Sequence, residues 1–197
     1  MEVRRMIASF ETAELIAENQ FVLAGWLTGI AGTDDLAALG ADEGARIVLL
    51  DNAVLPASLS DYELGQTLNW QFSAAGSDAA SYDTQIEGRA LQPLRPGHLR
   101  AASNTSGDLS LTWTRRARHS ADRWDRESVP LLEEQLLFRV EVSAGGNTLR
   151  TTDVNDTSWV YSAAMQAEDG APSSGFSVSV SQISARVGEG VAARLSL

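Results

Sequence analysis

Leu109-Ser110-Leu111-Thr112-Trp113 and Phe176-Ser177-Val178-Ser179-Val180 are the stretches whose reading decides the fold. In each, a large apolar residue recurs at every second position with a small polar residue between. Successive side chains of a strand point to opposite faces, so this alternation describes a strand buried on one side and wet on the other. Phe138, Val140 and Val142 repeat the pattern. The second stretch runs on to a glycine-bracketed turn, Val187-Gly188-Glu189-Gly190, and a final strand over 191–197.

Working outward, strands are expected at about 97–102, 108–116, 135–143, 147–153, 157–163, 175–184 and 190–197. Ser143-Ala144-Gly145-Gly146-Asn147 supplies a hairpin turn between two of them, because glycine reaches positive φ without a Cβ clash. Short strands at turn-separated intervals are the pattern of an immunoglobulin-like sandwich. The apolar sets on 109–113, 138–142 and 176–180 are expected to line one shared core. The 109, 176 and 191 strands look like the B, F and G strands of a fibronectin type III sandwich over 93–197. That fold usually opens its F strand with a tyrosine whose hydroxyl bonds to backbone at a corner. Here the position is Phe176, so that hydrogen bond is absent or made elsewhere.

Residues 1–92 read as a small β-rich N-terminal domain with a short helix and a linker, so the chain as a whole is mainly β. Ala13 to Gln20 has the composition of a short helix, and Phe21 to Leu27 that of a buried strand. Gly29, Gly32 and Thr33-Asp34-Asp35 read as a loop. Thr33 or Asp34 is then placed to cap a helix over Asp35 to Leu39 that Gly40 ends. Gly44 to Asp51 reads as a strand bounded by turn residues, and Thr67 to Phe72 as another. Residues 73–81 are a small, polar loop, and Tyr82 to Leu91 forms a further strand candidate.

Composition narrows the function classes. There is no cysteine, which excludes disulfides and thiolate metal sites. All 15 basic residues are arginine, and the net charge of -11 argues against nucleic acid as a partner. No apolar run approaches the roughly 18 residues of a membrane span. Met1-Glu2-Val3-Arg4-Arg5 leads into a short apolar run that Glu11 stops, so no signal peptide is read there.

Several blocks, taken in order, resemble the C-terminal part of the large tail protein of gene transfer agents and related phages, the host-specificity or hub protein of the tail tip. They are Phe21 to Asp35, with its Leu27-Thr28-Gly29-Ile30-Ala31-Gly32-Thr33-Asp34 ending, and Gly44 to Asp51. Leu91 to Leu99, Gly107 to Arg116 and the C-terminal strand pair complete the set. The family usually has arginines where this chain has Thr28 and Ala31, so no role of those arginines is carried over. The resemblance implies a structural module of a phage-like tail tip or baseplate, located in a virion-like particle. It implies other tail or baseplate proteins as partners and a host cell-surface glycan or receptor as a further one. Such proteins are longer, with hub domains and a glycosidase-like barrel upstream; none of those parts is in this sequence. On this reading Met1 is either an introduced start or the start of a split gene.

The residues themselves offer little chemistry. His98 and His119 have no second ligand beside them, and zinc at either needs carboxylate help. Asp34-Asp35 and Glu133-Glu134 are adjacent acids, which do not supply two carboxyls facing each other across a cleft. Asp153, Asn155 and Asp156 lack the length and glycine of an EF-hand, and read as a solvated loop. No Gly-x-Ser-x-Gly motif and no phosphate loop occurs. The expectation is therefore a non-enzymatic protein with no cofactor and no metal. The most distinctive local feature is the run from Trp113 to Arg126, which packs five arginines, a histidine and two tryptophans into fourteen residues. One reading is a long loop whose arginines pair with Asp122, Asp125 and Glu127. The other is a carbohydrate- or receptor-binding surface made by Arg115, Arg116, Arg118, Arg123, Trp124 and Arg126. On that second reading Trp159 or Tyr161 joins Trp124 as an exposed aromatic. The structural reading predicts instead that residues 1–66, taken alone, expose apolar surface or fold incompletely.

Overall fold

A computed structural model describes residues 6–118 and 130–197. The strands in chain order are β1 (Ile7–Ser9), β2 (Thr12–Ala17), β3 (Gln20–Ala24), β4 (Leu27–Ile30), β5 (Thr67–Phe72), β6 (Ala80–Gln85) and β7 (Gly97–Ser103). They continue as β8 (Leu109–Thr114), β9 (Phe138–Ala144), β10 (Asn147–Val154), β11 (Ser158–Tyr161), β12 (Phe176–Ser184), β13 (Gly188–Glu189) and β14 (Ala193–Ser196). Two short helices, α1 (Asp34–Leu39) and α2 (Ala163–Glu168), interrupt them. The chain is mainly β, as its alternation predicts.

The second half is a two-layer sandwich. One layer has the order β11-β8-β7; the other has β10-β9-β12, with β13 and β14 pairing the two ends of β12. Sequence-adjacent β8 and β9 lie in different layers, as do β10 and β11 and then β11 and β12, so the chain crosses the core three times. That is the A-B-E and C′-C-F-G division of a fibronectin type III-like domain. Leu109, Leu111 and Trp113 from one layer meet Phe138, Val140, Val142, Phe176, Val178 and Val180 from the other in one buried cluster, with Tyr161 among them. Every residue expected to line the shared core does so. Trp113 meets Phe138 edge-on at 5.4 Å between ring centroids. The β9–β10 turn is the two-residue loop Gly145-Gly146, both at positive φ (57° and 83°), which matches the twist of the flanking strands.

The Phe176 question resolves within this core. Phe176 packs edge-on against Tyr161, 6.4 Å away. The hydroxyl that Phe176 lacks comes instead from Tyr161 at the end of β11, which donates to Asp169 Oδ2 at 2.7 Å. Arg150 on β10 grips the same carboxylate with two bonds, Nε to Oδ2 at 2.6 Å and Nη2 to Oδ1 at 2.8 Å. The corner is thus closed by a side-chain triad across the β11–β12 connection. That connection holds α2, whose N-cap Ser162 accepts from the Met165 N–H. Asp108, in the β7–β8 turn, accepts from the Ala163 N–H and anchors the helix to the sandwich.

The first half differs from expectation. Ala13 to Gln20 is not helical: β2 pairs with β3 in a hairpin whose register sets Glu14 against Val22 and Leu15 against Phe21. Cross-strand pairing overrides the helix propensity of Ala, Glu and Leu. The Phe21–Leu27 stretch is not one buried strand: β3 ends at Ala24, Gly25 turns the chain at φ 70°, β4 begins at Leu27, and the stretch is mostly exposed. Gly44 to Asp51 forms no strand, because nothing pairs with it. The strand expected from Tyr82 runs from Ala80 to Gln85 and gives way to a 3-10 turn at Arg89–Leu91. Thr67 to Phe72 is a strand, as read. Helix α1 falls where the sequence put it, ended by Gly40. Its Thr33 hydroxyl, however, donates to the Ile30 carbonyl and accepts from the Ile7 N–H, so it joins β1 to β4 rather than capping the helix.

The two halves meet through residues 61–64 and 86–93. Arg89 Nη1 reaches both carboxylate oxygens of Asp35 at 3.0 Å, which fixes the 3-10 turn to α1. Gly88 lies against Leu64 and Val187, and Arg186 pairs with Asp61. Gly190 faces the Pro93 backbone so closely that any side chain there would strike the carbonyl.

Candidate functional site

The arginine-rich run divides at Arg118. Arg123, Trp124 and Arg126, with His119 and the acids Asp122, Asp125 and Glu127, lie outside the described residues. Of those within, Arg115 Nη1 donates to the Pro130 carbonyl at 3.0 Å. Arg118 pairs with Glu133 at 2.6 Å, and both side chains are largely shielded from water (18% and 6% exposed). Arg115 and Arg118 therefore fasten the start of the long β8–β9 connection to its end. Glu133 is a partner that the sequence reading did not assign. Arg116 is different: it is exposed, and it lies over Gly97, whose missing side chain leaves room for it.

Gly97 belongs to a second feature, on the outer face of the β11-β8-β7 layer. It stands opposite Thr114, and Arg100 stands opposite Thr112. Three steps along β7 therefore match two along β8, which is a β-bulge. The extra residue brings His98 into the left-handed region (φ 52°), a conformation rare for a residue with a Cβ. A recess of about 370 Å³ results, lined by His98, Arg100, Thr112, Trp113 and Thr114. Among the described residues no acidic one lines it. The side chains of His98, Arg100 and Arg116 have neither an ion-pair nor a hydrogen-bond partner among the described residues. Arg89 is committed to Asp35, Arg139 to Asp153 and Glu189, and Arg150 to Glu168 and Asp169, whereas Arg46, Arg95 and Arg194 also have no side-chain partner among the described residues. The polar half of the Leu109–Trp113 alternation announces Thr112 and Thr114 in the sequence, but the bulge that adds His98 has no such signal.

The aromatic candidates on β11 are unavailable for recognition. Tyr161 is fully buried, and Trp159 is partly buried and stacked on it at 5.4 Å. Burial is the main cause that raises the Tyr161 hydroxyl to a pKa of about 12, with the hydrogen bond to Asp169 second. Asp169 is held below the ordinary carboxylate range, chiefly by its hydrogen bonds from Arg150. Asp108 is lowered first by the Ala163 N–H and then by Asn104. These shifts follow from structural bonds that surround no cleft. Asp153 is engaged by Arg139 at 2.9 and 3.0 Å, and among the described residues no group of three His, Asp or Glu is placed to hold a metal ion.

The third surface is apolar. Nearly all the large hydrophobic residues left exposed among the described residues lie between Ile7 and Tyr82; beyond that only Leu131, Leu132 and Val160 are exposed. Leu15 is 62% exposed, Phe21 58%, Leu27 63% and Phe72 59%. They sit on two-stranded ribbons, β2–β3, β1–β4 and β5–β6, which no second layer covers. A lone two-stranded ribbon is marginally stable in water. The acidic excess is concentrated here too: Arg4, Arg5, Arg46 and Arg89 are the only basic residues before Pro93.

No family model matches this chain, and no curated protein matches it in sequence. Among solved structures it aligns with the rat CD45 extracellular region, domains d3-d4, over 94% of each chain, with 9% identity and a TM-score of 0.38. The sandwich assignment rests on the strand order and the shared core described above.

Proposed function

We propose that this chain is a non-enzymatic structural module of a phage-like tail tip or baseplate. Its ribbon-built first half docks on neighbouring tail proteins, and its sandwich forms a self-contained body beyond them. The observation that carries this reading is the apolar surface between Ile7 and Tyr82, set beside a sandwich whose own core is sealed. Large hydrophobic side chains left exposed in such number mark an interaction site. The acidic residues interspersed with it favour a neighbour that offers apolar surface rimmed with basic residues. The resemblance of the Phe21–Asp35 and Gly44–Asp51 blocks to the tail proteins of gene transfer agents points the same way and supplies the particle.

The test is incorporation. Tagged full-length chain is expected to co-purify with tail particles, whereas Leu15→Glu with Phe21→Glu is expected to be lost from them. Burying such side chains contributes about 1.5–3 kcal/mol each, so the double variant is expected to bind at least about a hundredfold more weakly. Its sandwich must still melt as the parent does. Unchanged incorporation would contradict docking through this face, and turnover of an envelope polysaccharide by the chain alone would contradict the non-enzymatic role.

A second reading, recognition of a host-surface glycan or receptor, is favoured by the contrast between Arg116 and its neighbours. Arg115 and Arg118 are fastened inward, while Arg116 stays exposed at the edge of the sandwich. A Trp124→Ala variant that keeps full binding to cell envelopes would argue against the loop as the reader.

A further inference from the structure

We propose that the recess on the outer face of the β11-β8-β7 layer is a binding site for an anionic saccharide, a sugar ring carrying a carboxylate or phosphate. This deepens the second reading above but moves the site from the loop to the sheet. Three observations carry it.

The first is charge. His98 and Arg100 line the recess and Arg116 lies over the neighbouring Gly97; among the described residues no acidic residue lines the recess, and these three side chains have no partner. An arginine side chain without a partner is available to an outside anion, and its planar fork suits an oxyanion.

The second is shape. Glycine opposite Thr114 removes a side chain from the sheet face, and the bulge adds one beside it, so a flat surface gains a notch. At about 370 Å³ the notch falls at the lower end of the size range of small-ligand sites, about 300–1,000 Å³. His98 keeps a backbone conformation that costs a residue with a Cβ, and such strain persists where the surroundings impose it.

The third is the hydroxyl pair. Thr112 and Thr114 point outward two residues apart, so donors and acceptors lie beside the cations. A sugar ring needs both.

The experiment is titration of the isotope-labelled full chain by NMR with glucuronate, glucose 6-phosphate, glucose and a short polyglutamate. The expected result is saturable shifts of residues 97–100 and 112–116 with an anionic sugar and none with glucose. A response to glucuronate alone assigns a carboxylate, and a response to glucose 6-phosphate alone assigns a phosphate. Binding is expected to weaken as salt rises. Arg100→Glu is expected to weaken it at least about tenfold. Gly97→Leu should weaken it by displacing the Arg116 side chain that lies over Gly97. A Cβ at Gly97 would meet the Arg116 side chain at 3.7 Å and the Thr114 carbonyl at 3.9 Å, both ordinary contacts, so that variant is expected to fold, and its thermal melt checks this. Trp124→Ala separates the two sites. Loss of binding in Arg100→Glu but not in Trp124→Ala supports the recess and removes the loop. Loss in Trp124→Ala alone overturns the recess. Response to glucose equal to that of the charged sugars, response to polyglutamate only, or no response to any probe also overturns it.

Discussion

Phe138→Ala is expected to destabilise the sandwich by about 3–5 kcal/mol, the usual range for removing a fully buried aromatic ring. Phe138 is inaccessible to solvent and lies on β9, the central strand of its layer, flanked by β10 and β12. Its ring meets Trp113 from the opposite layer edge-on. The cavity would therefore open between the layers, where close-packed neighbours on both sides limit collapse. Edge-to-face contact adds to the loss. A domain is stable by only about 5–15 kcal/mol, so this variant is expected to melt far below the parent or fail to accumulate. Chemical denaturation followed by tryptophan fluorescence checks it. A cost under 1 kcal/mol would mean that the two layers are not packed as described.

The second large effect is at the corner. Asp169→Ala leaves the buried Tyr161 hydroxyl without its acceptor and frees Arg150 from two of its bonds. A buried polar group left unpaired costs about 1–3 kcal/mol, and that loss is expected here. The pH dependence has a definite sign. The folded pKa of Asp169 is below its ordinary value, so its contribution is present above the ordinary carboxylate range and is lost as pH falls through the lowered value. Tyr161 is raised from 10.0 to about 12, so its contribution is complete below pH 10 and disappears as pH rises towards 12. Tyr161→Phe is expected to remove that alkaline loss while keeping the ring packing on Phe176. Denaturation midpoints measured at acid, neutral and alkaline pH check both limbs; an unchanged alkaline slope in Tyr161→Phe would contradict the assignment.

How much of this was legible in the sequence depended on burial. β8, β9 and the Phe176–Val180 half of β12 alternate because one face of each is sealed in a common core, so the pattern and the structure have the same cause. In the first half that cause is missing. β2 is exposed at all six positions, so no alternation marks it, and propensity alone suggested a helix. The Ile47–Leu50 run has strand composition, yet a strand needs a partner, and none stands beside it. Phe176 correctly signalled a missing hydroxyl, but only the fold shows Tyr161 and Asp169 supplying the bond. The arginine loop was visible as composition. The recess beside it depends on a bulge, a matter of register between β7 and β8 that no local pattern records.

The central claim is that the ribbons between Ile7 and Tyr82 require a neighbour. Amide hydrogen exchange tests it most directly, comparing free full-length chain with chain assembled into tail particles. In the free chain, amides of β9 and β12 are expected to be protected close to the global stability, and those of β2, β3, β5 and β6 to exchange rapidly. In the particle, the ribbon amides are expected to slow strongly while β9 and β12 stay as they were. Ribbons as protected as the sandwich core in the free monomer, or no slowing on assembly, would contradict the account.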